Sequence, residues 1–286
     1  MVTSKYACLN GHYLKVENLP LEQGNRAFLY GDGLFETIHA NGTIPQFLDL
    51  HLQRLFQGMK VLKMEIPDFF NEAYFARHIS GVLTRNKCFT GARIRMTVFR
   101  NPGGLYTPSV NDVSYLIEGV SLNNDKYVLN QQGLTIDIFP DIKKPVNLLS
   151  QIKSTNALIF VLAGLHKKEN NLDDSILLNE RGNICESVSS NLFLVKDNRI
   201  ITPATAEGCL PGIMRSVIIK MIESSKLKPV IEKVIIPKDL STADELFLTN
   251  AINGIRWVLA FRQKRYYNRI AKDLTEMLNV LAFQEA

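Results

Sequence analysis

Two spacings of apolar residues, one of two positions and one of three to four, organise this chain. Between Tyr6 and Val16 the pattern breaks at Asn10-Gly11, a pair suited to a tight hairpin turn, so a hairpin is expected there. An apolar and aromatic run from Phe28 to Ile38 is interrupted by Gly31-Asp32-Gly33, which predicts a turn or bulge followed by a buried strand. Asn41-Gly42 turns the chain into a short strand over 44–48. Leu48, Leu52, Leu55, Phe56, Met59 and Leu62 then recur at helical spacing. On that helix His51 and Arg54 are three apart and project from one side. A second helix is expected over about 69–86. A strand follows over 92–99, where Arg93, Arg95 and Thr97 alternate with apolar residues. A loop rich in breakers, 100–108, leads into a strand over 113–120.

The polar stretch Ser121 to Lys126 is the expected domain boundary, giving domains 1–120 and 121–286. Beyond it, Leu134 to Ile138 alternates as a strand does. Ala157, Leu158, Val161, Leu162 and Leu165 return to helical spacing, with Ser154, Thr155 and Asn156 as candidate N-caps. That places Lys153 at a helix entrance, where the macrodipole disfavours a cation and would lower its hold on a proton. Strands are expected over 175–178, 183–186 and 191–195, separated by Arg181-Gly182-Asn183 and Lys196-Asp197-Asn198. Leu210-Pro211-Gly212 opens a helix to about Ser225 that buries Ile213, Val217, Ile218, Met221 and Ile222. Strands over 230–234 and 245–249, a sharp turn at 250–254 and a helix over 269–281 complete the pattern. Strands outnumber helices and their connections are mixed, so the fold class is α+β rather than a doubly wound parallel sheet.

Composition narrows the class without deciding it. A chain of 286 residues can bury a sizeable core. The formal charge of +5 is scattered, and its densest run, Arg262 to Arg269, reads as a solvated face, so no nucleic-acid partner is expected. The four cysteines lie far apart without a CxxC pair, which fits reduced thiols in a cytoplasmic protein and no zinc site. Met1 to Tyr6 lacks an apolar leader segment and no run approaches membrane-spanning length. The five histidines are dispersed and suggest no metal centre.

Four features carry chemistry. Lys153 is a candidate amine for bonding to a carbonyl. Gly212-Ile213-Met214 opens a helix whose unpaired N–H groups and positive dipole suit a phosphate. Thr249-Asn250-Ala251, at a strand end, offers a hydroxyl and N–H groups to the same anion. Glu186 stands on a strand among Cys185, Ser187, Ser189 and Ser190. An amine, a phosphate cradle and an inward carboxylate are what pyridoxal phosphate requires. The carboxylate keeps the pyridine nitrogen protonated, so that the ring draws off electrons.

The chain resembles the class IV aminotransferase family, the fold type IV pyridoxal-phosphate enzymes. This group includes branched-chain and D-amino acid aminotransferases and aminodeoxychorismate lyase. The stretches that carry the resemblance are Tyr30-Gly31-Asp32-Gly33-Leu34-Phe35-Glu36-Thr37, His51-Leu52-Gln53-Arg54-Leu55, Ile152-Lys153-Ser154, Glu186 through Asn191 with Leu192-Phe193, Pro211-Gly212-Ile213-Met214-Arg215, and Leu248-Thr249-Asn250-Ala251. They stand in family order over nearly the whole chain. The resemblance implies that Lys153 bonds the cofactor and shuttles the substrate proton, and that Glu186 pairs with the ring nitrogen. It also implies that Arg54, the N–H groups of Ile213 and Met214 after Gly212, and Thr249 with the neighbouring Asn250 hold the phosphate. Relatives usually carry Thr or Val where this chain has Met214, so a side-chain hydroxyl contact would be lost there while backbone contacts remain. The implied architecture is a smaller N-terminal α+β domain and a larger C-terminal pseudo-barrel domain carrying Lys153. The cofactor lies between them, in a homodimer whose partner helps complete the pocket.

The resemblance names the cofactor more sharply than the substrate. One reading is an aminotransferase acting on a branched-chain or similar amino acid and a 2-oxo acid. Alternatives are 4-amino-4-deoxychorismate lyase of the folate pathway, giving 4-aminobenzoate and pyruvate, and a non-catalytic binding protein on the same fold. Retention of Lys153 and Glu186 speaks against the last. The loop after Arg100 faintly resembles that of the lyases, but Leu105 stands where some lyases carry a basic residue. Pro102 replaces the histidine of the Arg-x-His pair in D-amino acid enzymes, against D-specificity. Candidate substrate contacts are Phe35 and, for a carboxylate, Arg95, Arg100 and Arg256, with Arg100 favoured.

Overall fold

The computed structural model of the chain describes residues 4–20, 23–225 and 227–283, and its contacts divide it into two units. The first comprises Met1–Lys126 together with Ile152–Asn156, and the second Tyr127–Gln151 with Ala157–Ala286. The expected boundary at 120/121 falls inside a strand, and the polar stretch to Lys126 stays with the first unit. The segment bearing Lys153 also belongs to this first unit rather than to the larger second one, because it hydrogen-bonds to a strand edge there.

In the first unit β1 (Tyr6–Leu9) and β2 (His12–Lys15) form the expected hairpin, with Asn10 and Gly11 both at positive φ. A short helix, α1 (Arg26–Tyr30), is capped by Gly31 at φ 65°, a conformation glycine adopts without a Cβ penalty. Next come β3 (Gly33–Asn41), β4 (Ile44–Pro45), α2 (Leu48–Val61), α3 (Glu72–Arg85), β5 (Gly91–Arg100) and β6 (Val113–Ser121). Leu48 begins a helix instead of ending a strand. Among the described residues the sheet has six strands in the order β2-β1-β6-β5-β3-β4. Its two faces differ in chemistry. Leu34, Ile38, Ile94, Met96, Val98 and Ile117 pack with Leu52, Leu55, Met59 and Ile79 of the helices in one core. Phe35, Thr37, Arg93, Arg95 and Thr97 alternate onto the other face and are only half-buried.

The second unit runs β7 (Leu134–Ile138), α4 (Leu158–Glu169), β8 (Asp174–Leu178), β9 (Ile184–Ser187), β10 (Asn191–Lys196) and β11 (Arg199–Pro203). It continues through α5 (Ile213–Ser225), β12 (Val230–Lys233), α6 (Pro237–Thr242), β13 (Glu245–Asn250), β14 (Gly254–Phe261), β15 (Lys264–Arg265) and α7 (Arg269–Phe283). The sheet follows the order β12-β11-β10-β13-β14-β7-β8-β9, and β9 curls back against β10 and β11 to give a barrel-like wall. Sequence patterning misses β11, β14 and α6. Helix α5 buries Ile213, Val217, Ile218, Met221 and Ile222, as its spacing predicts. Helix α4 does not follow the pattern, since only Ala163 is buried, while Leu158, Val161, Leu162 and Leu165 are exposed on one face. No helix among the described residues is long and apolar enough to cross a membrane.

Candidate active site

The amine comes first. Lys153 lies in an extended segment: Phe35 N–H donates to the Lys153 carbonyl at 2.9 Å, Ser154 bridges Leu34, and Thr155 N–H donates to the Gly33 carbonyl at 2.9 Å. Helix α4 starts five positions later at Leu158, with Ala157 at its N-cap and no side-chain cap. Lys153 is therefore not in a first helical turn, and the expected dipole effect does not apply; Ser154, Thr155 and Asn156 cap nothing. What sets the amine instead is the strand edge beside it. Its Nζ stands 4.6 Å from the centre of the Phe35 ring, and the Arg95 guanidinium stands 3.9 Å from the same ring. Burial pulls the Arg95 pKa down against the opposing influence of Glu118, so this guanidinium is poorly solvated and gains by meeting an anion.

On the helix side of the same strand, Glu36 organises His51 and Arg54. Arg54 donates through Nε at 2.8 Å and Nη2 at 2.5 Å to the two carboxylate oxygens, a bidentate pair. His51 Nδ1 lies 2.6 Å from Glu36 Oε2. Burial alone would raise the Glu36 pKa, but Arg54 and His51 hold it at about 2. Burial lowers the His51 pKa despite Glu36, so a neutral imidazole donates its Nδ1–H to the carboxylate. Both groups have folded-state pKa values below their unfolded ones, so their stabilisation is complete above about pH 6.5 and fades as pH falls. Acid should therefore destabilise the protein in two stages, through His51 below about pH 6.5 and through Glu36 between about pH 4.5 and 2. Glu36→Gln should remove the second stage, worth about 3 kcal/mol, in thermal melts run against pH; a persistent low-pH stage would contradict it.

Arg100 is otherwise engaged. Its Nε donates to Asp32 at 2.9 Å, and its Nη groups reach Asn111 Oδ1 at 2.5 Å and the Leu62 carbonyl at 2.6 Å. Arg26 meets the same Asp32 oxygen and holds the carbonyls of Gly103 and Leu105 at 3.0 and 2.7 Å. This buried group ties α1 to the loop after β5. Arg100 points to the helix-packed side of the sheet, and its donors are spent on structure. Of the candidate carboxylate binders, Arg95 instead lies on the opposite face of the sheet, beside Phe35.

In the second unit, Glu186 on β9 is buried, as is Lys144, whose ammonium pairs with its Oε1 and donates to the Ser150 carbonyl at 3.0 Å. Leu210 N–H donates to Glu186 Oε2 at 3.1 Å. Asn191, opposite Thr249 across β10 and β13, donates to the Leu210 carbonyl at 2.8 Å. A Cβ on Gly212 would collide with the Asn191 carboxamide oxygen, so only glycine allows the chain to pass there into α5. Ile213 and Met214 are the first two residues of that helix and both side chains are buried and apolar, which leaves their backbone N–H groups to meet an anion. Thr249 is buried, and its Oγ1 is among the buried side-chain atoms that have no hydrogen-bond partner. Asn250 spends its side chain on the turn, accepting from Ile252 and Asn253 N–H at 3.0 and 2.8 Å, so only its backbone is offered to a ligand. Arg256 lies on β14 opposite Leu248.

Residues 33–261 match the family described as amino-transferase class IV. The chain belongs to this family. It is therefore an enzyme of a family that works with pyridoxal phosphate. A putative branched-chain-amino-acid aminotransferase of Methanocaldococcus jannaschii is 28% identical, over 94% of this chain and 92% of its own. An aminodeoxychorismate lyase of Vibrio harveyi is 26% identical over 81% and 84% respectively. Among solved structures, the branched-chain aminotransferase of the thermophilic archaeon Thermoproteus uzoniensis with norvaline matches with a TM-score of 0.88 at 21% identity, covering 98% of this chain and 95% of that one. At that identity the match shows the fold, α+β in two domains.

The residues present fit the cofactor. The orphaned Thr249 hydroxyl and the glycine-only entry to α5 suit a phosphate, and Glu186 is a buried carboxylate balanced by a cation. Three members of these groups receive no role from the sequence pattern: Glu36, Asn191 and Lys144. Glu36 had a signal, a carboxylate alternating with Leu34 and Ile38 on a strand's apolar side. Lys144 had none, since it sits in an irregular stretch 42 positions from its partner.

Proposed function

We propose that this class IV enzyme is an aminotransferase that moves an amino group between an amino acid, branched-chain or similar, and a 2-oxo acid. The observation that carries this is the pair of cations beside Phe35, an amine and a guanidinium 4.6 and 3.9 Å from one ring. Arg95 binds the substrate carboxylate and thereby orients the substrate's α carbon toward Lys153. Lys153 would bond the cofactor, and as a free amine its Nζ would carry the substrate's α proton. Glu186 holds a proton on the ring nitrogen, while Thr249, the first N–H groups of α5 and Arg54 hold the phosphate. Bound pyridoxal phosphate supplies the electron-withdrawing ring. Arg95→Ala should raise KM for the amino acid about ten- to a hundredfold, the worth of a charged hydrogen bond, with the bound cofactor's absorbance unchanged. An unchanged KM would remove Arg95 from the site.

A lyase acting on aminodeoxychorismate is the second reading, favoured by the similarity to the Vibrio harveyi enzyme. The exposed Leu105, with no basic residue between Asn101 and Pro108, supports the aminotransferase instead. Single-turnover spectra with L-glutamate, L-leucine, D-alanine and aminodeoxychorismate test the choice. Conversion of the cofactor to its amine form with 2-oxo acid release supports transamination. Pyruvate and 4-aminobenzoate from aminodeoxychorismate, with the cofactor unchanged, would replace it.

The same reading makes the enzyme a cytoplasmic homodimer. Free, buried thiols at Cys8, Cys88, Cys185 and Cys209 support the compartment. The exposed apolar face of α4, with Leu158 at 72% exposure beside Val161, Leu162 and Leu165, supports a second copy as its cover. Val161→Glu with Leu162→Glu should convert a dimer to a monomer in sedimentation; a dimer that survives both changes would place the interface elsewhere.

A further inference from the structure

We propose that Lys144 is a positioning residue that keeps Glu186 ionised and aimed for the cofactor's ring nitrogen, an inference that rests on the pyridoxal-phosphate reading of Glu186. Four observations carry it. Both side chains are buried, at 8% and 5% exposure. Lys144 is held at its base by two backbone bonds, its N–H to the Leu178 carbonyl at 2.8 Å and its carbonyl to Glu180 N–H at 3.0 Å. Its ammonium donates to the Ser150 carbonyl at 3.0 Å and pairs with Glu186 Oε1. The opposite oxygen, Oε2, accepts from Leu210 N–H at 3.1 Å, so the carboxylate is fixed at both ends.

The physical reason is charge balance. A carboxylate taken out of water without a cation keeps its proton instead of ionising. A protonated Glu186 would have no negative charge to offer a ring nitrogen. The Lys144 ammonium supplies that balance before any cofactor arrives. Burial by itself would discharge Lys144, yet the Glu186 carboxylate raises its pKa above the ordinary lysine value, so the ammonium keeps its charge at neutral pH. The Phe160 ring, 5.6 Å from Nζ, adds a weak attraction for the cation. Of the groups that influence Lys144, Cys185 and Cys209 lie beside the pair. Burial pushes both thiols up, the latter to about 11, so neither adds charge at neutral pH.

The test uses the full-length protein with and without pyridoxal phosphate, comparing wild type, Lys144→Met, Lys144→Arg and Lys144→Met/Glu186→Gln. Without cofactor, Lys144→Met should lose stability progressively as pH rises from 5 to 8. Its folded state would hold on Glu186 a proton that the unfolded chain releases above about pH 4.3. Lys144→Arg should follow wild type, and the double variant should regain stability and lose the slope, since no charge is left to balance. A pure packing role for Lys144 would produce no slope. With cofactor, Lys144→Met should bind pyridoxal phosphate about tenfold or more weakly above pH 7, and Lys144→Arg within about threefold of wild type. Identical pH profiles for Lys144→Met and the double variant would overturn the proposal, as would a double variant no more stable than Lys144→Met when the latter folds poorly. A wild-type protein that does not bind pyridoxal phosphate would instead overturn the reading of Glu186 on which the proposal depends, a result the wild-type titration shows separately.

Discussion

Replacing Lys153 by alanine should lower turnover by about a thousandfold or more, the scale expected when a positioned proton-transfer group is lost. The long-wavelength absorbance of cofactor joined to a lysine should vanish with it. Two properties of the site lead to this expectation. The amine is held beside Phe35 by backbone bonds that do not depend on its own side chain, so truncation should leave the strand edge intact. The cations proposed to work with it, Arg95 and Arg54, are guanidinium groups whose protons do not leave at working pH, so neither can take over as base. Borohydride treatment of wild type followed by mass spectrometry should find the cofactor on the Lys153 peptide. Attachment at another lysine, or a substantial residual rate in Lys153→Ala, would refute the assignment.

Glu186→Gln should cost about a hundredfold in turnover of the cofactor-saturated protein, the worth of one well-placed electrostatic group in a dry site. A neutral amide cannot hold the proton on the ring nitrogen, yet the phosphate contacts proposed for Thr249 and the start of α5 are untouched. The substitution also leaves Lys144 buried without its counter-ion, so the variant should melt below wild type, as expected when one partner of a buried pair is removed. Addition of Lys144→Met should restore stability but not rate. Recovery of rate as well would mean that Glu186 serves the fold and not the ring, and unchanged turnover in the single variant would sink the role outright.

Much of this architecture was legible because local and global preferences agree. The Asn10-Gly11 hairpin, the apolar stripe of α2, the buried face of α5 and the start of α5 after Gly212 each follow from residue type and spacing. Failures cluster where packing overrides pattern. Helix α4 has helical spacing but turns its leucines outward, and spacing alone says which residues share a face, not what covers it. Arg95 was expected on a strand and Arg100 at the start of a loop, yet both stand on β5. Their positions differ by an odd number of residues, so the pleat sends one toward the helices and the other to the open face beside Phe35.

By itself the sequence determined the fold class, the family and the list of chemical groups. Those depend on hydrophobic period and on residues such as glycine that few others can replace. Only the tertiary structure decided which group meets which: that Glu36 grips Arg54, that Lys144 balances Glu186, and that Lys153 lies on a strand edge and not at a helix start. Charge pairing in a buried place depends on distance and solvent exclusion, and neither is written in the spacing of residues along the chain.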